Sequence, residues 1–253
     1  MSLRVLRPEP GVYEQSATLK AVLRRCRHEP TSSQRPPVVV FDLDGTLLDN
    51  RPRTLAILRE FAARCVDRDP QLADRLVGAR TADLSYLLSD TLERLDAHRT
   101  ELVAEMQEFW RERFFRDAHL VHDVPLPGAV SFARACYDAG ALLVYLTGRD
   151  LPLMGIGTFQ SLRDLGFPIG IPGTELVLKP DAEMPDEDFK RLTAPSLARV
   201  GRVVAAFDNE PANCNVMLAH HPDAHVVFVD TQHMPGAPAL EAEVRVVRDF
   251  RVG

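Results

Sequence analysis

The chain has 253 residues, 45% hydrophobic and 26% charged, a composition typical of a soluble globular protein with one domain plus an insertion, or two domains. No apolar run approaches the ~18 residues of a membrane span and no secretory signal pattern opens the chain, so we expect no membrane partner and a cytoplasmic location. The formal net charge of -6 gives no general attraction to nucleic acid, and a nucleic-acid partner is not expected.

Four cysteines, Cys26, Cys65, Cys136 and Cys214, lie far apart in the sequence. None belongs to a Cys-x-x-Cys pair or has histidines at a spacing suited to zinc. We interpret them as reduced thiols that mostly pack in the interior, and none as a nucleophile.

Residues 1 to 37 are predicted to form an N-terminal helical arm and a linker. Apolar residues recur near helical spacing from Val12 to Cys26, and the stretch HEPTSSQRPP after them is linker-like. The arm carries seven Lys or Arg against three Glu. A docking or anion-binding arm is one interpretation. We favour a helix that packs on the domain and exposes a basic face, because such charge is ordinary on an exposed helix face.

Two carboxylates, Asp42 and Asp44, follow a continuously apolar run in VVVFDLDGTLLD. The run predicts a parallel strand over 38 to 43, buried on both faces. Side chains two apart on a strand point the same way, so the two carboxylates begin as a pair aimed at one point. A divalent cation, a phosphoryl group or a shared proton relieves such a pair. Thr46 either supports the turn or hydrogen-bonds Asp44.

Residues 50 to 123 carry apolar side chains three and four apart, which predicts three or four helices. One stripe begins at Leu55, and another contains Leu102, Met106, Phe109, Trp110 and Phe114. Both are interpreted as core faces rather than as a cofactor-binding aromatic box.

From Leu126 onwards the pattern alternates between helix and strand. Including the first strand, strands are predicted at 38 to 43, 141 to 146, 175 to 178, 202 to 207 and 225 to 229. Helices are predicted at 128 to 139, near 158 to 165, from about 186 and near 212 to 220. The alternation predicts an α/β fold with a Rossmann-like parallel sheet and helices on both faces. Ligands in such sheets bind at the carboxyl ends of the strands.

Polar residues follow two further strands at this edge. Thr147 and the amide of Gly148 form a small donor site suited to phosphate oxygens, although a capping Thr at an ordinary turn has the same composition. Arg149 either clamps a substrate phosphate or holds an acidic neighbour. Asp208 ends strand 202 to 207 and, with Asp42 and a main-chain carbonyl, would complete a site for a hard cation.

The pattern apolar-apolar-D-x-D-G-T-apolar-apolar at Asp42 and Asp44 resembles the first motif of the haloacid dehalogenase (HAD) superfamily, most of whose members are magnesium-dependent phosphatases. Thr147 stands where that family has its second motif. Asp208 resembles the fourth motif, although the second acidic position of many members is occupied here by Asn213, with Glu210 as an alternative.

The third motif of the family is a lysine, and the sequence offers Lys179 and Lys190. We prefer Lys190, because its helix leads directly to the strand that bears Asp208. The string D-x-x-F-K around it also resembles the phosphatase domain of polynucleotide kinase, as do the preceding GRD, Thr158 and the GFP at 166 to 168. Lys179 remains the alternative.

The resemblance implies that Asp42 attacks phosphorus to form an aspartyl-phosphate, while Asp44 protonates the leaving oxygen and then activates water. Mg²⁺ would be held by the Asp42 carboxylate, the Asp44 main-chain carbonyl and Asp208. Thr147, the Gly148 amide and the motif lysine would bind the phosphoryl oxygens. The acid-base aspartate disfavours dehalogenation, because the dehalogenase branch of the family lacks it and needs no metal.

The helical insertion falls where the family inserts a type 1 cap. The predicted organisation is therefore an arm at 1 to 37, a HAD-like catalytic core at 38 to 49 plus 124 to 253, and a cap at 50 to 123. A cap would exclude water and contact the leaving group, so specificity residues are expected there. Arg51, Arg80 and Arg113 are candidates only because they are basic.

The predicted function is magnesium-dependent hydrolysis of a phosphate monoester of a small metabolite. One alternative is a nucleotide or nucleic-acid end phosphatase, and another is a catalytically silent binding module that keeps the fold. The sequence indicates neither the substrate nor the oligomeric state.

Overall fold

The computed structural model describes residues 12–27, 35–98 and 101–252, so most of the predicted linker and the start of the arm lie outside the described residues. The helices are α1 Val12–Cys26, α2 Arg51–Cys65, α3 Pro70–Gly78, α4 Leu88–Arg94, α5 Val103–Phe114, α6 Ala129–Asp138, α7 Leu151–Asp164, α8 Asp186–Val200 and α9 Pro211–His220. The strands are β1 Pro37–Phe41, β2 Leu48–Asp49, β3 Val124–Pro125, β4 Leu142–Asp150, β5 Thr174–Lys179, β6 Arg202–Asp208, β7 His225–Val229 and β8 Arg245–Val247. Short 3₁₀ helices cover Thr81–Asp83 and Asp117–His122.

Six strands form one parallel sheet in the order β5-β4-β1-β6-β7-β8. The predicted α/β fold with a parallel sheet is confirmed, and β1 is an interior strand between β4 and β6. Its five residues are all buried. The sequence analysis does not predict β8, because three residues are too few to show a periodicity.

The junction between β4 and α7 differs from its prediction. β4 stays extended to Asp150 instead of ending at 146, and α7 begins at Leu151 instead of near 158. The cause is local, since the Asp150 carboxylate accepts a hydrogen bond from the Leu153 amide at 2.9 Å and Pro152 occupies the first turn. Both features start a helix here.

Helices cover both faces of the sheet. On one face, α1 and α6 bury Leu19, Val22 and Phe132 against β1 and β6. On the other, α8 and α9 bury Leu197 and Met217. The four cysteines are buried free thiols. Among the described residues, no helix combines the length and the hydrophobicity that a membrane span requires.

The inserted helices α2 to α5 pack around a hydrophobic cluster of their own, which includes Leu58, Phe61 and Met106. The chain enters and leaves this unit through the antiparallel pair of β2 and β3, in which Leu48 pairs with Pro125. Both connections therefore leave the sheet next to the turn that follows β1, at the edge where its carboxylates lie.

Candidate active site

Asp42 and Asp208 lie side by side at the carboxyl edge of the sheet. Phe41 pairs with Phe207 in the β1-β6 register, and the Asp42 amide donates to the Phe207 carbonyl at 3.0 Å. The Lys190 ammonium, from the first turns of α8, lies 2.7 Å from Asp42 Oδ1 and 2.7 Å from Asp208 Oδ2. All three side chains are buried. The structure therefore brings the predicted nucleophile, the predicted metal ligand and one candidate lysine into direct contact.

Burial raises the pKa of Asp42 to about 7 against the opposing effect of Lys190, and the neighbouring Asp208 and Asp44 raise it further. Burial alone would lower the pKa of Lys190, but Asp208 and Asp42 raise it well above its ordinary value. Lys190 is therefore a stable ammonium ion. It is shared by two buried carboxylates, so when both are ionised the three groups carry one net negative charge that a further cation would stabilise.

Lys179 points elsewhere. Its ammonium donates to Asp186 Oδ1 at 2.6 Å and to the Met184 carbonyl at 2.9 Å. The geometry therefore favours Lys190 as the motif lysine, which stays a prediction. The same Asp186 side chain lies close to Gly148, where a Cβ would be 2.2 Å from Asp186 Oδ2.

Thr147 is buried at the same edge, in the last part of β4. Its Oγ1 accepts a hydrogen bond from the Arg149 amide at 3.2 Å. Since a hydroxyl also has one proton to donate, Thr147 can still donate to an oxygen of a bound phosphate.

Asp44 is turned away from Lys190 and is held by two arginines. Arg149 Nε lies 2.6 Å from Asp44 Oδ2 and its Nη2 lies 3.0 Å from Oδ1, while Arg53 Nη2 lies 2.7 Å from Oδ1. Arg149 Nη1 donates to Thr158 at 3.3 Å. Of the two predicted roles for Arg149, the structure shows it holding an acidic neighbour, and its substrate-binding role stays a prediction.

Asp123 and Arg53 complete this group and are not anticipated by the sequence analysis. Asp123 accepts from Arg53 Nε at 2.8 Å and Nη2 at 2.6 Å, and from Arg149 Nη2 at 2.6 Å. The Arg53 and Asp123 side chains are fully buried. We call Asp44, Arg53, Asp123 and Arg149 the charge cluster. An arginine on the same face of α2 as the buried Ile57 is the signal that could have indicated it.

Two guanidinium groups balance the two carboxylates of the charge cluster. Burial alone would raise the pKa of Asp44, but Arg149 and Arg53 hold it well below its ordinary value. In this arrangement Asp44 is a carboxylate that accepts hydrogen bonds and has no proton to donate. An acid role for Asp44 therefore requires it to exchange its arginine partners for the leaving-group oxygen.

Thr46 supports the turn rather than bonding to Asp44. Its hydroxyl donates to Asn209 Oδ1 at 3.1 Å, and Asn209 Nδ2 donates to the Gln232 carbonyl at 2.6 Å. Gly45 has φ +78°, and a Cβ there would lie 2.4 Å from Asn209 Nδ2. Glycine is thus required in this turn both for its backbone conformation and for the close approach of Asn209.

Asn213 and Glu210, the two candidates for the second position of the fourth motif, have different partners. Asn213 Nδ2 donates to Asp208 Oδ1 at 3.2 Å, and the Glu210 amide donates to the same oxygen at 2.9 Å. The Glu210 carboxylate turns away and accepts from the Met234 amide at 3.2 Å. Asn213 therefore orients the Asp208 carboxylate, and the side chain of Glu210 does not.

A cavity of about 1,060 Å³ separates this edge of the sheet from the inserted helices. The core side of the cavity is lined by the candidate site residues Asp42, Asp44, Thr147, Gly148, Arg149 and Lys190, and by Asp186, which pairs with Lys179. Of the three arginines proposed for specificity, Arg51 lines it and forms a two-point pair with Asp49. Arg80 instead pairs with Asp83 at the surface, and Arg113 lies over the Phe109 ring at 3.4 Å.

The stripe on α5 is a core face only in part. Leu102, Met106 and Phe109 are buried in the cluster of the insertion, whereas Trp110 and Phe114 also line the cavity. The periodicity of the sequence marks a helix face, but it does not distinguish a wall packed on another helix from a wall that borders a cavity.

The donor set at the edge fits a magnesium ion. Among the described residues, no group of three His, Cys, Asp or Glu side chains is placed to hold a metal. A cation would therefore be held by the carboxylates of Asp42 and Asp208, the predicted main-chain carbonyl of Asp44, and waters. Hard oxygen donors, one or two carboxylates and retained waters are what Mg²⁺ prefers, and the shared Lys190 leaves negative charge for it to offset.

The chain was compared with known proteins. No protein-family model matches the sequence, and no curated protein does. Solved structures similar to this chain include a candidate phosphatase from Clostridium difficile. The match has 16% sequence identity, covers 79% of this chain and 88% of that chain, and has a TM-score of 0.49. A second is a candidate haloacid dehalogenase-like hydrolase from Burkholderia xenovorans, with 19% sequence identity, 85% of this chain and 93% of that chain covered, and TM-score 0.48. A third is Protein Tyrosine Kinase A of Mycobacterium tuberculosis, with 17% sequence identity, 86% of this chain and 96% of that chain covered, and TM-score 0.49.

Replacing Asp123 with Asn should destabilise the protein by about 3–5 kcal/mol, because it leaves the two buried guanidinium groups with one carboxylate. Urea unfolding followed by circular dichroism measures this change. Asp164→Asn is the matched control, since it breaks the exposed pair with Arg163 and should leave stability unchanged. An Asp123→Asn protein as stable as the wild type would contradict the described charge cluster.

Proposed function

We propose that the chain is a HAD-type phosphoric monoester hydrolase that uses Mg²⁺ and an aspartyl-phosphate on Asp42 to hydrolyse a small phosphorylated metabolite. The observation that carries the proposal is the Lys190 ammonium at 2.7 Å from both Asp42 and Asp208, on the floor of a cavity covered by inserted helices. The sequence motif around Asp42 and Asp44 independently implies a nucleophile at Asp42 and an acid and base at Asp44. A binding module would have no evident need for carboxylates that converge on one buried ammonium.

Asp42 is the proposed nucleophile. Although burial raises the pKa of Asp42, the Lys190 ammonium opposes this effect and holds Oδ1, which leaves Oδ2 for attack on phosphorus. Two steps through an acyl-phosphate replace one difficult displacement by water.

Three donors would hold the phosphoryl oxygens at this edge: the Thr147 hydroxyl, the Gly148 amide and the Lys190 ammonium. Thr147 and Gly148 lie near the end of β4 and Lys190 lies on α8, which packs against β4, so the three donors need little rearrangement as negative charge develops on the oxygens. Mg²⁺, when bound by Asp42, Asp208 and the Asp44 carbonyl, supplies further neutralisation of that charge.

Asp44 is the proposed acid and base. In the described arrangement its carboxylate is fully engaged by Arg53 and Arg149. Its side chain is 28% exposed toward the cavity, so it can reach the leaving group when it changes partners. Arg53 belongs to the insertion, so a movement of the insertion would remove this partner of Asp44, whereas Arg149 belongs to β4 of the core and would have to be displaced separately.

The wild-type protein should release phosphate from an aryl phosphate only with Mg²⁺, and EDTA should abolish the release until Mg²⁺ is restored. Asp42→Asn should be inactive.

Lys190→Met should lower kcat by roughly 100-fold or more, because it removes charge that stabilises the transition state. Lys179→Met is the matched control, a second buried lysine that is paired with Asp186, and should retain most of the activity. A larger loss in Lys179→Met than in Lys190→Met would overturn the lysine assignment.

Asp44→Asn should lower kcat far more for an alkyl phosphate than for 4-nitrophenyl phosphate. The alkoxide is a poor leaving group that needs a proton, whereas nitrophenolate leaves without one. Steady-state rates with both esters give the ratio for wild type and variant. Equal losses with the two esters would show that Asp44 does not protonate the leaving group.

A further inference from the structure

The inserted helices contribute an apolar and aromatic wall to the cavity. We call it the aromatic wall, and it consists of Leu84, Tyr86, Leu87, Leu88, Trp110, Phe114 and Phe115. Tyr86 is 40% exposed, Leu87 36% and Phe115 43%. Apolar side chains that stay open inside a concave site are where a ligand buries its own apolar surface.

Three rings of the aromatic wall, those of Trp110, Phe114 and Phe115, form one cluster. Trp110 stacks on Phe114 with centroids 4.4 Å apart, and Phe115 meets Phe114 edge-on at 5.1 Å. Trp110 Nε1 donates to Thr54 Oγ1 at 3.2 Å, which fixes the indole. The cluster therefore presents a preformed aromatic surface, at which a second ring can stack with little loss of entropy.

The aromatic wall begins next to the reacting groups. The Arg53 guanidinium carbon lies 4.4 Å from the centroid of the Phe114 ring, and Arg53 Nη2 lies 2.7 Å from Asp44. A phosphate ester held at Asp42 and Thr147 would thus direct its leaving group, past Asp44, toward these rings.

The charges of the cavity disfavour a second phosphate on the substrate. Seven carboxylate side chains line the cavity against five basic ones. Arg53, Arg149 and Lys190 are paired with Asp44, Asp123, Asp42 and Asp208, and Arg51 is paired with Asp49. Glu187, Glu210 and Asp230 add negative charge to the cavity lining, and Arg248 is its fifth basic residue. An anionic group far from Asp42 would meet this excess of carboxylates.

The size of the cavity fits a leaving group larger than a short alcohol. About 1,060 Å³ is at the upper end of the range for small-molecule sites, and one phosphate occupies a small part of it. The remaining volume accommodates a ring system.

We propose that the aromatic wall binds an uncharged planar ring in the leaving group, so that the preferred substrate is a phosphate monoester that carries an aromatic ring and no second phosphate. This inference rests on the proposed function and names the substrate class of the same site. Arylalkyl alcohols and nucleosides both have this chemistry, and the experiment below separates them.

The decisive measurement is kcat/KM for benzyl phosphate against cyclohexylmethyl phosphate. Both esters release a primary alcohol of similar size, and they differ in whether the ring is planar and aromatic. Stacking on the aromatic wall should favour benzyl phosphate by roughly tenfold. Adenosine 5′-monophosphate should likewise be preferred over adenosine 3′,5′-bisphosphate. The better of benzyl phosphate and adenosine 5′-monophosphate identifies the source of the ring.

Phe115→Leu should reduce the ratio of benzyl to cyclohexylmethyl phosphate several-fold, because it removes an exposed ring of the aromatic wall. Phe159→Leu is the matched control, since Phe159 is 37% exposed and lies on α7 outside the cavity lining, and it should keep the wild-type ratio.

Ethyl phosphate, a monoester that has no ring, separates the two proposals. If the protein releases phosphate from ethyl phosphate but treats the two ring esters equally, or prefers the aliphatic one, the ring proposal is overturned and the phosphatase proposal stands. If it releases phosphate from none of these esters, both are overturned.

Discussion

The structure depends on the pairing of buried charges at one edge of a parallel sheet. Asp42 and Asp208 are buried with the Lys190 ammonium between them, and the partly buried Asp44 lies beside two guanidinium groups. Isolated ions at these positions would cost several kcal/mol each, so every partner has to be held in place by the fold. The fixed elements that supply these partners are also the elements that place them around a substrate.

The two groups of charges differ in what they connect. Lys190 joins β1, β6 and α8 within the core, so the proposed nucleophile is fixed by the sheet itself. The charge cluster connects the core to the insertion, because Arg53 lies on its first helix and Asp123 directly before β3. A change in the position of the insertion would therefore reach Asp44 directly and leave Asp42 in place. The insertion, which covers the cavity, therefore contacts Asp44, the proposed acid and base, through Arg53.

The sequence allowed the sheet and much of the candidate site to be predicted, because those signals are local. Asp42, Thr147 and Asp208 each follow an apolar strand, and parallel strands end at one edge. Chain connectivity favours Lys190 over Lys179, and the contacts of Lys190 agree with that prediction. These inferences need only the order of the elements.

Arg53 and Asp123 could not be predicted in this way, because they are 70 residues apart and act through a contact made only in the folded chain. Local pattern also could not separate the buried Phe109 from Trp110 and Phe114, which line the cavity. Helical periodicity reports which residues share a face, whereas the surface opposite that face is set by tertiary packing.

The central claim is that Asp42 carries the phosphoryl group, and borohydride trapping tests it most directly. An aspartyl-phosphate is reduced by borohydride to homoserine, which peptide mass spectrometry assigns to a position. Protein quenched during turnover of a phosphate ester with Mg²⁺ should contain homoserine at position 42, and protein without the ester should not. Phosphate release with no homoserine at position 42, or with homoserine at another aspartate, would contradict the account.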